Sequence, residues 1–321
     1  TEVVLVDGAS TDNTRALMCE FALDNKDEFR RVVVLDNPKK TLPSGWNVAL
    51  REYKGDAIIK VDAHAVIPED FVSKNVRVLE TGEYICGGQR PNIIDKPTPF
   101  KETLLLAESS MFGSSIASYR NNPGKTYVKS LFHAAYRREV FEKVGFFNEE
   151  LVRTEDNEIH YRMRKAGYKL CFDPDIISYQ YTRSSLKAML KQKYANGYWI
   201  GKTSKVCPKC LSIYHFVPFA FVSAIIASGS VIGATGLAEC IKKRHNHTLG
   251  KGISALRKVT VVLTTVMWVL YALMASGMAA VSAFKAEDKR NITNACLPVL
   301  FLLLHLSYGI GTIAGLMDKS K

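Results

Sequence analysis

Three long stretches without a single Lys, Arg, Asp or Glu occupy the C-terminal third: Phe216–Leu237, Val259–Phe284 and Asn291–Met317, of 22, 26 and 27 residues. A helix of about 20 apolar residues crosses a hydrocarbon core of about 30 Å, so each run is long enough to span a bilayer. A buried helix of that length in a soluble protein keeps a polar face; these runs show none. The first run is loosened by Pro218, Gly229, Gly233 and Gly236, which equally suits a re-entrant or interfacial segment. The expectation is two to three transmembrane helices over 216–321, preceded by an amphipathic or interfacial segment at 183–215 and a soluble domain over 1–182.

Charge divides the chain at the same place. From Phe216 onward there are 11 Lys+Arg against 4 Asp+Glu, and before it 32 against 27. The loop between the first two runs carries Lys242, Lys243, Arg244, Lys251, Arg257 and Lys258, while the next has Lys285, Lys289 and Arg290 diluted by Glu287 and Asp288. With a cytosolic soluble domain and three crossings, the more basic loop falls outside, against the positive-inside tendency. With the first run not crossing, that loop falls inside with Lys319 and Lys321. A basic cluster beside a membrane meets anionic headgroups more readily than nucleic acid. Seven cysteines at irregular spacing make no disulfide framework; a reducing, cytosol-facing location at the cell (plasma or inner) membrane fits them.

Within 1–182, short β-branched runs alternate with helical periodicity. Strands are expected at 2–6, 31–35, 57–61 and 84–86, with helices around Ala16–Ala22, Pro43–Tyr53 and Phe71–Leu79. This alternation predicts an α/β domain with a mostly parallel sheet covered on both faces. Ligands of such sheets bind beyond the carboxyl ends of the strands, where Asp7 and Asp62 stand. Asp7 alone also reads as a turn or N-cap residue. Thr154 heads a helix with Glu155, Asp156 and Glu158 in its first turns, where the dipole favours negative charge, and Gly167 ends it. Its apolar approach, Val144-Gly-Phe-Phe147, reads as a seam in the domain.

Taken in order, Val6-Asp7-Gly-Ala-Ser-Thr-Asp12, Asp62-Ala-His64 and Glu155-Asp156-Asn-Glu158 with Arg162 resemble the signatures of the family 2 glycosyltransferases, which have the GT-A fold. Tyr136-Arg-Arg-Glu-Val-Phe-Glu-Lys-Val-Gly145 and His305-Leu-Ser-Tyr-Gly-Ile-Gly311 narrow the likeness to a membrane-associated bacterial branch that makes exopolysaccharide. The resemblance implies an inverting transferase that moves a sugar from a nucleotide-sugar donor, UDP-linked by expectation, to a lipid-linked saccharide. It implies Asp156 as the general base, Asp7 as the contact to the nucleoside and Asp62 in the nucleotide-sugar site. Asp62 with His64 would hold a divalent cation, Mn²⁺ or Mg²⁺, against the diphosphate. His64 stands where a second Asp is usual, and hard cations prefer oxygen ligands. The family opens with a further strand–loop–helix unit ahead of the Asp-Gly signature, so this sequence is expected to be N-terminally incomplete. That departure and His64 keep a second expectation open: a catalytically inactive nucleotide-binding protein at the membrane.

Three motifs divide between chemistry and packing. Gln192-Lys-Tyr-Ala-Asn-Gly-Tyr-Trp199 loosely resembles an acceptor-side element of related synthases and equally suits a membrane-surface helix; Gln192 and Trp199 are its candidate residues. Lys39 and Lys40 could meet a diphosphate or simply face solvent. Cys207-Pro-Lys-Cys210 is a lone CxxC, short of the four ligands of a zinc site, and reads as two free thiols.

Overall fold

The computed structural model describes residues 1–113, 124–244, 250–286 and 291–319. The side chains of Lys243 and Arg244, and all of Glu287, Asp288, Lys289, Arg290 and Lys321, lie outside that description. The chain divides into two compact units: Thr1–Ile93 with Ile116–Thr182 and Lys202–Leu211, and Ile94–Ser115 with Arg183–Gly201 and Ser212–Lys321.

The elements of the first unit are β1 (Glu2–Asp7), α1 (Thr14–Asp24), β2 (Arg31–Asp36), α2 (Leu42–Glu52), β3 (Ala57–Ile59), β4 (Ala65–Val66), α3 (Phe71–Glu80), β5 (Ile85–Gln89) and β6 (Asn92–Ile93). After α4 (Pro99–Ser109), which belongs to the second unit, come β7 (Thr126–Val128), β8 (Ala135–Arg137), α5 (Arg138–Val144), α6 (Glu155–Lys165), β9 (Leu170–Ile177) and β10 (Tyr179–Tyr181). The α/β class expected from the sequence is what forms. The sheets are mixed rather than mostly parallel. The five-stranded sheet has the order β3-β8-β5-β9-β7, and β8 runs antiparallel to both β3 and β5. Only β5 and β9 pair in parallel there.

A second correction concerns the two carboxylates. β1 and β2 pair in parallel by themselves, and among the described residues no ladder joins them to the five-stranded sheet. Asp7 and Asp62 therefore follow strands of different sheets, not adjacent strands of one.

The core gathers around β8, β5 and β9. Ile85, Tyr136, Ile159, Met163, Leu170 and Phe172 are almost wholly removed from water, each burial contributing about 1.5–3 kcal/mol. Gly88 is obligatory: a Cβ there would stand 2.0 Å from the Ile176 carbonyl and 2.4 Å from that of Asp173. The register of β5 against β9 shifts at this point, so the bulged strand presses on a backbone that cannot carry a side chain. α1 forms as its periodicity predicts, yet none of its residues is buried.

The second unit comprises α4, the first part of α7 (Leu186–Val206), α8 (Val217–Arg244), α9 (Lys251–Lys285) and α10 (Leu297–Met317). Three helices are long and apolar enough to cross a membrane: Ile213–Lys242, Lys251–Lys285 and Ile292–Met317. They differ in cover: 39% of the apolar window of the third is buried within the protein, against 6% for each of the others. Around it, Leu104, Ala107, Met189, Leu297, Leu300, Phe301 and Leu304 form one cluster. α7 approaches α10 backbone to backbone. A Cβ at Gly197 would meet the Tyr308 carbonyl at 2.0 Å, and one at Gly315 the Tyr198 carbonyl at 2.0 Å. Small residues permit such close packing of helices. His305, the one histidine of the three runs, has both ring nitrogens paired, Nδ1 with the Tyr271 hydroxyl at 2.9 Å and Nε2 with the Phe112 carbonyl at 2.7 Å.

Candidate active site

The chemistry of the first unit gathers where the chain leaves β3 and where α6 begins. Lys60 follows β3 directly, and its backbone N–H donates to the Ala134 carbonyl at 3.0 Å. Its side chain is 6% exposed, with Nζ 2.7 Å from Asp156 Oδ1 and 3.8 Å from Glu155 Oε1. The rings of Trp46, Phe132 and Phe147 lie 5.1, 5.8 and 5.9 Å from the same nitrogen. Burial works against the ammonium, but the charges of Asp156, Asp62 and Glu155 outweigh it, and the Lys60 pKa is raised. Glu155 moves upward too, because it is buried and lies beside the Asp156 charge. The Asp156 side chain keeps 19% exposure and Glu155 only 5%, so Asp156 is the reachable member of the pair.

Asp62 is nearly buried, and its Oδ2 faces His133 Nε2 at 3.7 Å. Burial raises its pKa, while His133 and Lys60 lower it further, and the carboxyl is held at about 2. His133 is itself buried, with a positive φ of 45°, a strained setting for a non-glycine residue. Its Nδ1 is paired with Ser178 Oγ at 2.9 Å. Asp62 Oδ1, His133 Nε2 and Glu155 Oε2 are buried polar atoms with no hydrogen-bond partner. Such atoms are costly unless a ligand satisfies them.

His64 is exposed, and its Nε2 is hydrogen-bonded to the Gln180 side chain. Among the described residues no three His, Cys, Asp or Glu side chains gather as a set able to hold a metal by themselves. The unpartnered Oδ1 of Asp62 does fit a divalent cation shared with a diphosphate, since Mg²⁺-type ions take one or two carboxylates and complete their shell from phosphates and water.

Asp7 lies apart from this cluster in its bonding. Both its oxygens accept from the Ser10 backbone N–H, at 3.3 and 3.2 Å, and Oδ1 also accepts from the Ser10 hydroxyl at 2.6 Å. Lys39 reaches Glu149 at 2.6 Å, and Lys39 and Lys40 are both exposed. Thr154 does not cap α6 with its side chain; its hydroxyl pairs with that of Thr203 instead. Arg162 explains the seam before α6: it holds Glu158 at 2.6 Å and donates to the carbonyls of Val144 and Phe146, each at 2.6 Å. Cys207 and Cys210 are free thiols. Gln192 and Trp199 lie on α7 in the second unit, Trp199 in edge contact with Tyr198 and the Gln192 Oε1 buried without a hydrogen-bond partner.

Sequence reasoning passed over Lys60 and His133. Lys60 left a trace: it is a charge at the end of the apolar strand run Ala57–Val61, two residues before Asp62 and so on the same face in extended chain. His133 left none, because its neighbours are distant in sequence.

The family model described as Glycosyl transferase family 2 matches residues 1–145. Residues 1–145 are a family 2 glycosyltransferase domain. The matched stretch ends before α6, which carries Glu155 and Asp156. Among curated proteins, the chain is 30% identical to the succinoglycan biosynthesis protein ExoA of Rhizobium meliloti, over 61% of this chain and 58% of that protein. It is 25% identical to a dolichyl N-acetyl-alpha-D-glucosaminyl phosphate 3-beta-D-2,3-diacetamido-2,3-dideoxy-beta-D-glucuronosyltransferase of Methanococcus voltae, over 70% of each. The chain thus spans somewhat over half the length of ExoA. Among solved structures, GalNAc-T7 with UDP, GalNAc and Mn²⁺ aligns with a TM-score of 0.43 and 18% identity, over 66% of this chain and 46% of that one.

Proposed function

We propose that this glycosyltransferase chain works at a cell membrane with its catalytic unit on the cytosolic side, moving a sugar with inversion from a UDP-linked donor to a lipid-linked saccharide in envelope or exopolysaccharide synthesis. The carrying observation is the cluster in which Lys60 bridges Asp156 and Glu155 beside Asp62, within and just beyond a family 2 domain. The apolar helices of the second unit support attachment to the bilayer that holds such an acceptor.

In this reading Asp156 accepts the proton of the acceptor hydroxyl as that oxygen bonds to the anomeric carbon. The bond from that carbon to the β-phosphate oxygen breaks, and UDP leaves with the electron pair. Asp62, with His64 close by in sequence, would hold a divalent cation whose charge offsets that of the departing diphosphate. Asp7 retains acceptor capacity beyond its Ser10 bonds and is assigned to the nucleoside. Gln192 and Trp199 are the acceptor-side candidates.

The test uses the full chain in detergent. Calorimetric UDP binding is expected to require Mn²⁺ or Mg²⁺, and UDP release is measured from a panel of UDP-hexoses supplied with a polyprenyl-diphosphate-linked hexose. Asp156→Asn should lower turnover by ~10²–10⁴-fold, the usual worth of a general base. Full turnover by Asp156→Asn would refute the mechanism, and absence of UDP binding under every condition would refute the donor class.

A further inference from the structure

Lys60 sits at the centre of the cluster, and the reaction above gives it no task. Burying an ammonium costs several kcal/mol unless its partners are well placed, and an apolar residue would continue the strand run Ala57–Ile59 more cheaply. What the position gains is discrimination. Two adjacent carboxylates head α6, and Lys60 Nζ hydrogen-bonds one, Asp156 Oδ1 at 2.7 Å, while standing 3.8 Å from the other, Glu155 Oε1. Three aromatic rings within 5.9 Å limit where the ammonium can move. The Glu155 carboxyl is left buried with Oε2 unpartnered, whereas the Asp156 side chain keeps its 19% exposure.

We propose that Lys60 is a positioning residue that selects Asp156 over Glu155 as the base, by fixing Asp156 through one oxygen so that the other stays available to the acceptor hydroxyl. This rests on the reading of Asp156 as the base. Lys60 acts through Asp156 and touches no reacting atom. Its loss therefore falls on the chemical step and leaves donor binding in place, and it vanishes where Asp156 has already been disabled.

The experiment is a double-mutant cycle on the full chain, with the UDP-hexose that turns over in the assay above. Lys60→Met is expected to lower kcat by ~10²-fold with the donor KM within about threefold, the signature of an interaction that matters in the transition state. Lys60→Arg, which keeps the charge and a donor, should recover turnover to within about tenfold of wild type. In an Asp156→Asn background, Lys60→Met should add less than about a twofold loss. Should Lys60→Met fail to fold, Lys60→Gln carries the same cycle with a neutral donor. The proposal is overturned if the two losses multiply, if Lys60→Met keeps kcat within about threefold of wild type, or if Lys60→Arg is as slow as Lys60→Met. Full turnover by Asp156→Asn has a different signature and removes the reading on which the proposal stands.

Discussion

The ends of β1 and β3 each present an aspartate, and the two are satisfied in opposite ways. Asp7 closes on its own loop, with three contacts from Ser10. Asp62 stays open, with Oδ1 buried and unpartnered and Oδ2 3.7 Å from His133. Two buried histidines repeat the contrast. His160 has both nitrogens paired, with Tyr136 at 2.8 Å and Ser130 at 3.1 Å, whereas His133 has Nδ1 paired and Nε2 without a hydrogen bond. On the proposed reading a closed group chiefly holds its own loop or core, and an open one has its bonding completed by a ligand. The largest expected effect tests this directly. Asp62→Asn should cost ~10³-fold or more in turnover and abolish the cation dependence of UDP binding, since offsetting charge on a leaving diphosphate is worth several kcal/mol. Asp7→Asn should cost about tenfold or less, because the amide still accepts from Ser10. Equal losses in the two variants would erase the distinction between them.

The closed histidine supplies the next test. Burial pushes the His160 pKa down from 6.5 to about 4, against the opposing pull of Asp156. Between those values the unfolded chain binds a proton that the folded chain refuses, so stability is complete above pH 6.5 and falls as the pH drops toward 4. The expected loss below pH 4 is about 3 kcal/mol. His160→Gln, which hydrogen-bonds without titrating in this range, should flatten that acid limb in thermal unfolding followed in detergent. An unchanged slope would mean that His160 is not held neutral by the fold.

Much of this was legible in the sequence, and the remainder has physical reasons. Strands 57–59 and 85–89 announce themselves as short apolar runs, and helices 42–52 and 71–80 by periodicity, because Leu50 on the first and Phe71, Val78 and Leu79 on the second are buried in apolar clusters. The direction of β8 does not, since an antiparallel neighbour and a parallel one demand the same apolar residues. The three apolar runs are legible as spans, yet the sequence does not tell which is covered by protein. The glycines at 197, 201, 311 and 315 carry that information, and they mean something only once their partners are known. At the site, Asp62 and Asp156 stand in motifs, whereas Lys60 and His133 acquire a role only where β3, α6 and the segment before β8 meet.

The smallest expected effect lies in the closed loop. Ala9, between Asp7 and Ser10, has a φ of 58°, and an L-residue there gives up roughly 1–2 kcal/mol. The Ser10 contacts to the Asp7 carboxylate hold the loop in that shape. Removing the hydroxyl in Ser10→Ala takes away the 2.6 Å bond and leaves the two backbone contacts, so the loss of stability should be about 1 kcal/mol. Ala9→Gly should return most of it, because glycine adopts the left-handed backbone without steric cost. Cation-dependent UDP binding should survive in both variants, measured by calorimetry beside thermal unfolding. If Ser10→Ala instead removes the cation dependence as Asp62→Asn is expected to, then the Asp7 loop belongs to the open site and the contrast between the two strand ends fails.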